Sequence, residues 1–428
     1  MCKGNVIIMK KNTNFVLLIY IVLNTIISGC SSKGASSANL DTYNEDELPI
    51  YINMESIMEK EDVEPLSAIA SEITYIPLEL KSNSLLKEVD FLERLNDNYV
   101  VTDGIGIYLF DQNGKYLKTV SQIGQGPSDF YSVIYNMLVD YKANDLYLFS
   151  YRKVMKFDSN ADYVRQFRID DVGSRYNDGV FDGGGFTPQN TMILGYGNRV
   201  TTYDDTTTVY VAIEVDTVGN IIKKIVNNSP RYVRVRGGQI RGYNPLVGVF
   251  DDNIRFMDYS NDTIFTVSGD STIPYAILDL GKNKTTFIID LDPTRAPTPS
   301  DIDEVLDKLR GHAIRSVLES SIYLFITITK KGLSGTKYST YNKKTKELKL
   351  LKNDGLLNDL DGGPAFFPKK RIGDAMVGWK APDEFKEEVL SMDYNEQKAK
   401  YGERFEKVYQ LAKTIKEDDN PILMIVKK

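Results

Sequence analysis

Short apolar strands divided by turn residues run along this chain from Ile73 onward, and they predict an all-β fold. One unit recurs: an apolar strand, a turn opening on Asp or an equivalent, a Gly or Ala three residues later, and a second strand. The unit returns at the spacing of blades packed around a ring, which run about 40–50 residues each. Together these features predict a six-bladed β-propeller with a helical insertion near 300–319 and a C-terminal helix near 395–416.

The elements follow in chain order. Phe15 to Ile27 is apolar except for Asn24 and Thr25, too short to span a bilayer and of the length of a secretory h-region. Lys10 and Lys11 precede it, and Met9 reads as the true start. The run ends in Ile27-Ser28-Gly29-Cys30, which resembles a bacterial lipobox. Small residues before the Cys admit the signal peptidase, and the thiol and the freed amine then carry acyl chains. At about 0.8 kcal/mol per buried CH₂, several chains make a stable membrane anchor. Residues 1–29 are therefore expected to be a lipoprotein signal peptide, Cys30 the lipidated residue and 30–49 a flexible tether. Cleavage removes three lysines and no acid, taking the charge from -7 to -10. Cys2 leaves with the signal and Cys30 is blocked, so no disulfide is expected.

Residues 50–428 read as the propeller. The clearest hairpin runs from Tyr108 to Leu117, where Asp111 can bond the turn backbone and Asn113-Gly114 tolerate positive φ. Copies follow at Asp158 with Ala161, at Asp216 with Gly219, at Ser268 and at Asn342. The intervals are 47, 58, 52 and 74 residues, the last lengthened by an insertion. Five hairpins and unassigned strands at both ends imply six blades. In the insertion, Ser300 precedes a stripe of Ile302, Val305, Leu306, Leu309, Ala313 and Val317 at helical spacing. From Asn395 to Lys416, Phe405, Val408, Leu411, Ala412 and Ile415 share one side of a second helix, which Asn420-Pro421 stops. Ile422 to Val426 then read as a strand that helps to complete the ring.

Several of these segments carry a more specific resemblance. They are Ile73-Thr74-Tyr75-Ile76-Pro77-Leu78-Glu79, Phe110-Asp111 with Gly114-Lys115-Tyr116-Leu117, Ile123 through Phe130, and Asp418-Asp419-Asn420-Pro421-Ile422. Together they resemble the six-bladed β-propeller lipoproteins of Bacteroidota, related to NHL-repeat and TolB-type propellers. Where that family often carries Gly-Glu, this chain has Ser128-Asp129. In such lipoproteins an acidic cluster just after the Cys directs surface display. Ser31-Ser32-Lys33-Gly34 lacks it, so an outer-membrane lipoprotein facing the periplasm is expected.

Composition bounds the chemistry. The net charge of -7 disfavours nucleic acid as a partner. One His and at most one surviving Cys exclude the usual His/Cys zinc sites and any Cys–His nucleophile pair. No catalytic residue and no metal ligand is assigned. His312 is expected on the surface of the inserted helix. Gly124-Gln125-Gly126-Pro127 lacks the Lys-Ser/Thr of a phosphate loop and reads as an inter-strand turn, and Gly183-Gly184-Gly185 as a flexible loop. The best ligand-site candidate is the basic segment holding Tyr232, Arg234, Arg236, Arg241 and Tyr243, where Arg could pair with carboxylate or phosphate and Tyr could stack on a sugar. Strand alternation puts Tyr232, Arg234 and Arg236 on one face; the competing reading is a charge-protected blade edge. The expected function is a lipid-anchored binding or scaffold module for an anionic or glycan-related ligand or an envelope protein, without a cofactor. The alternative is a calcium-assisted hydrolase or lyase using channel carboxylates. Asp258, Asn261 and Asp262 could hold calcium but read better as a turn with solvated acids.

Overall fold

Strands with apolar residues on both faces can be stable only if neighbouring sheets cover both, and this requirement shapes the molecule. The computed structural model describes residues 48–170, 180–197, 210–226, 246–251, 253–257, 262–268, 271–284, 298, 311–330 and 335–428. The first three strands among the described residues are β1 (Ile50–Asn53), β2 (Glu61–Asp62) and β3 (Glu72–Pro77), and each joins a sheet built mainly by later residues.

The first blade is β4 (Phe91–Leu95), β5 (Asn98–Thr102), β6 (Gly106–Phe110) and β7 (Tyr116–Gln122). The second is β8 (Asn136–Asp140), β9 (Asp145–Ser150), β10 (Lys153–Phe157) and β11 (Tyr163–Arg168), and the third β12 (Val180–Phe186), β13 (Met192–Gly197), β14 (Tyr210–Val215) and β15 (Ile221–Val226). The fourth holds β16 (Leu246–Phe250), β17 (Asn253–Met257), β18 (Thr263–Ser268) and β19 (Ser271–Asp279), with β1 added in parallel to β19. The fifth holds β20 (His312–Glu319), β21 (Tyr323–Lys330), β22 (Thr336–Asn342) and β23 (Leu348–Leu351), with β2 at its edge. The sixth joins both ends of the chain: β24 (Lys370–Ile372), β25 (Ala375–Lys380) and β26 (Ile422–Lys427), then β3. β26 pairs with β3 from Ile422 opposite Pro77 to Lys427 opposite Glu72. The C-terminal strand thus completes the ring, as the sequence predicts.

A hydrophobic cluster joins every successive pair of blades and returns from the sixth to the first, where Leu423 and Ile425 meet Leu92, Val101 and Phe110. Each large apolar side chain buried there contributes roughly 1.5–3 kcal/mol. Middle strands are buried on both faces, as in β9 and β26, while the outermost β11 alternates half-buried and exposed.

Each of the recurring hairpins connects the third and fourth strands of a blade. Asp111 Oδ1 accepts from Asn113 N–H at 2.8 Å and Lys115 N–H at 2.9 Å, and Gly114 has φ +83°. Asp158 and Asp216 repeat the pattern, with Ala161 at φ +59° and Gly219 at φ +100°. Asn342 serves as the acceptor in the fifth blade.

Between β25 and β26 stand three helices, α1 (Pro382–Leu390), α2 (Tyr394–Tyr401) and α3 (Glu403–Thr414). Phe405, Val408, Ala412 and Ile415 pack on Phe385, Val389 and Ile422, so the predicted apolar side is the buried one. Gly402, at φ +63°, splits the predicted 395–416 helix into α2 and α3. The predicted helix near 300–319 is corrected where it can be seen: its second half is strand β20. Ala313 and Val317 are four apart on a bulged strand, which a local pattern cannot tell from one helical turn, and pairing with β21 decides the matter. Residues 300–310 lie outside the described residues. Among the described residues no helix is long and apolar enough to cross a membrane.

Candidate functional site

The first strand of each blade faces the axis of the ring, and the six inner strands enclose a cavity of about 370 Å³. Every blade contributes to its wall, through β4, β8, β12, β16, β20 and β24. We call upper the end at which inner strands begin; α1 to α3, which join a second to a third strand, stand at that end.

The wall is tight on one side because of glycine. A Cβ on Gly183 would lie 2.7 Å from the Val247 carbonyl oxygen, and one on Gly185 2.8 Å from Val249 Cγ2. Gly183 (φ +71°) and Gly184 (φ +140°) also take backbone conformations that L side chains resist. Asn136 Nδ2 donates to the Gly183 carbonyl at 2.8 Å, tying β8 to β12. The glycine triplet, expected as a flexible loop, is therefore part of an inner strand with a bulge, placed where neighbouring backbones nearly touch.

Charge is concentrated on the other side. Glu93 on β4, almost fully buried, accepts from Lys370 Nζ on β24 at 2.5 Å and from the Tyr141 hydroxyl at 2.8 Å. Burial first, then the Glu93 charge, push the Tyr141 phenol far up, so it stays protonated and donates. Toward the lower end, Glu319 accepts from Arg255 Nε at 3.2 Å, Lys343 Nζ at 3.0 Å and the Tyr275 hydroxyl at 2.5 Å. The Arg255 guanidinium lies 3.8 Å from the Tyr275 ring centroid. Phe250 is flanked by Arg371 at 4.9 Å and Lys343 at 5.0 Å, and Arg371 Nη1 reaches Asp251 at 3.6 Å. Both glutamates in this wall are held by cations. Among the described residues no group of three or more His, Cys, Asp or Glu gathers as metal ligands.

Two groups at the upper mouth behave differently. Asp90 is pushed up by desolvation and by the charges of Glu88 and Asp103. Lys369 is pushed down by desolvation, opposed by Glu384 on α1. Its Nζ donates to the Trp379 carbonyl at 3.1 Å and lies 4.9 Å from the indole centroid. A second cavity of about 440 Å³ opens beside α1, walled by Asp354, Glu384, Glu387 and Glu388, and it shares Lys369 and Trp379 with the channel.

Cys30 and the set Tyr232, Arg234, Arg236, Arg241 and Tyr243 lie outside the described residues, as do Asp258 and Asn261. Asp262 is paired with Lys284 at 2.7 Å. His312, expected on a helix surface, opens β20 instead. The segment Gly124 to Pro127 is a turn between blades, closed by Gly124 N–H to the Phe130 carbonyl and Gly126 N–H to Asp129 Oδ2 at 2.7 Å. What sequence reading missed is the channel wall. The usable signal was Lys369-Lys370-Arg371, three consecutive basic residues at a strand start in an acidic chain.

The comparisons with known proteins agree with this architecture. A family model described as Domain of unknown function (DUF4934) matches residues 49–427. The chain belongs to this family. A protein of Bacteroides fragilis described as exported is similar to this DUF4934 chain, with a TM-score of 0.58 and 16% identity over 89% of this chain and 99% of that one. A member of the duf4221 family from Bacteroides vulgatus has a TM-score of 0.47 and 11% identity over 65% and 84% of the two chains. At these identities the likeness to the first is one of fold. No curated protein matches the chain.

Proposed function

We propose that this chain is a lipid-anchored binding module of the cell envelope that takes its ligand through the propeller channel. The observation that carries the reading is the six-sided cavity whose two wall glutamates, Glu93 and Glu319, are engaged by lysine and arginine. A carboxylate so paired is a poor metal ligand or general base, because breaking a pair whose carboxylate is buried costs several kcal/mol. The calcium-assisted alternative needs free, converging carboxylates. The lipobox at Cys30, followed by Ser31-Ser32-Lys33-Gly34 without an acidic cluster, supports an outer-membrane lipoprotein facing the periplasm, and the exported relative from Bacteroides fragilis is compatible with that address.

A thermal-shift screen of envelope metabolites and glycan fragments, followed by mass spectrometry of each stabilising compound, tests the reading. Saturable stabilisation with the compound recovered intact is expected. Calcium-dependent turnover would establish the enzyme instead. For the anchor, Cys30→Ala should abolish metabolic labelling by an alkyne fatty acid and move the protein to the soluble fraction; labelling that persists would refute it.

A further inference from the structure

At the upper mouth Lys369 has no ion-pair partner among the described residues, although Asp90 lines the same mouth and the acids of the second cavity stand beyond it. Of the cations lining the channel, Lys370 is spent on Glu93, Arg255 on Glu319, and Arg371 on Phe250 and Asp251. No described carboxylate lies within ion-pair distance of Lys369, whose polar contact is the Trp379 carbonyl. Its neighbours are the Trp379 indole, the channel wall and the second cavity; Glu384 and Lys380 act on it at longer range, Lys380 being itself paired with Glu388 at 2.6 Å. Lys369 is an exposed residue although its ammonium group is partly desolvated.

We propose that the upper mouth is a binding site for a small organic monoanion, a carboxylate carried on a planar or ring-shaped body, with Lys369 as its charge partner and Trp379 as its stacking wall. This rests on the binding reading above and names the ligand class. A single charge is favoured because one cation is available; a phosphate dianion would have to draw Lys370 away from buried Glu93. Crowding supplies the driving force. An ammonium partly stripped of water gains more from a carboxylate than one in bulk solvent does, and the depressed affinity of Lys369 for its proton reflects that loss of water. The Lys369 ammonium lies over the indole, 4.9 Å from its centroid, so a sugar or aromatic ring presented beside the carboxylate shares that face with it.

Trp379 is the one tryptophan of the chain, so its emission reports on this mouth alone. The purified chain is titrated with galacturonate, benzoate, neutral galactose and glucose 6-phosphate while Trp379 fluorescence is followed. Galacturonate or benzoate should give a saturable change, with galactose and the phosphate weaker. Losing one charge-assisted hydrogen bond, Lys369→Met should weaken carboxylate binding about tenfold or more. Lys369→Arg should retain most of it, and Glu384→Gln should tighten it by removing a competing negative charge. Surface Lys118→Met should change nothing. Galactose binding as tightly as galacturonate, or Lys369→Met binding like wild type, would overturn the anion site and leave a binding module standing. No saturable change with either carboxylate, on protein that melts cooperatively, would also overturn it. The binding reading itself fails only if the channel turns a compound over.

Discussion

Replacing Asn420 with Ala tests how the ring is fastened. Asn420 is 1% exposed and stands directly before Pro421 and β26. Its Nδ2 donates to the carbonyls of Glu79 at 3.1 Å and Ser84 at 2.7 Å, and its Oδ1 accepts from Leu86 N–H at 2.8 Å. All three partners follow β3, so one side chain ties the C-terminal strand to the segment leading into the first blade. In the alanine variant the Glu79 carbonyl keeps Ser84 Oγ at 3.2 Å, while the Leu86 N–H and the Ser84 carbonyl lose this partner. At about 1–3 kcal/mol per orphaned buried group, the loss is on the order of 3 kcal/mol. Unfolding entropy of about 2.1 cal/mol/K per residue, over roughly 380 residues, is about 0.8 kcal/mol/K, so Tm should fall by about 4 °C. Differential scanning calorimetry reads this directly. Asn420→Asp should be worse, because it sets a carboxylate against two carbonyl oxygens. A Tm for Asn420→Ala within about 1 °C of wild type would refute the clasp. So would an Asp variant that melts above the Ala variant.

Gly184→Ala should destabilise by about 1–3 kcal/mol in urea titration, since its Cβ would lie 2.1 Å from the Ile193 carbonyl oxygen at φ +140°; an unchanged midpoint would contradict the tight wall. Glu319→Gln leaves Lys343 and Arg255 without their shared anion and should cost about 3–5 kcal/mol by the same assay. Glu406 on α3 is held down to about 2 by hydrogen bonds from Lys398, then Tyr394 and Gln410. Because folding lowers its pKa, the stability it contributes is present above the ordinary value of 4.5 and is lost as pH falls toward about 2. Glu406→Gln should flatten acid unfolding of the helices over that window by far-UV circular dichroism, and an unaltered acid profile would count against the hydrogen bonds.

The recurring hairpins were legible because their chemistry is local. Asp111, Asp158, Asp216 and Asn342 bond the backbone two to four residues on, and Gly114 and Gly219 supply the positive φ. A turn of that kind is written in five residues, and its repetition counts blades. The C-terminal helices were legible for a similar reason: the stripe from Phe405 to Ile415 spans a few turns of one helix. The break at Gly402 was missed because a single glycine inside an apolar pattern does not announce whether it bends the chain.

Long-range pairing accounts for what sequence could not reach. Ala313 and Val317 satisfy a helical spacing, yet the segment from His312 to Glu319, apart from bulged Arg315, pairs with strand β21. Gly183-Gly184-Gly185 looked like slack, and becomes intelligible only when Val247 and Ile193 are seen to occupy the space a side chain would need. The channel wall takes short runs of residues from each of six blades, separated by tens of positions, so no motif can record it. Repeat and hairpin are properties of neighbours along the chain, and the amino-acid order carries them. A site on the axis of a ring is a property of closure, and closure depends on Ile422 to Lys427 meeting Glu72 to Pro77 across almost the whole chain.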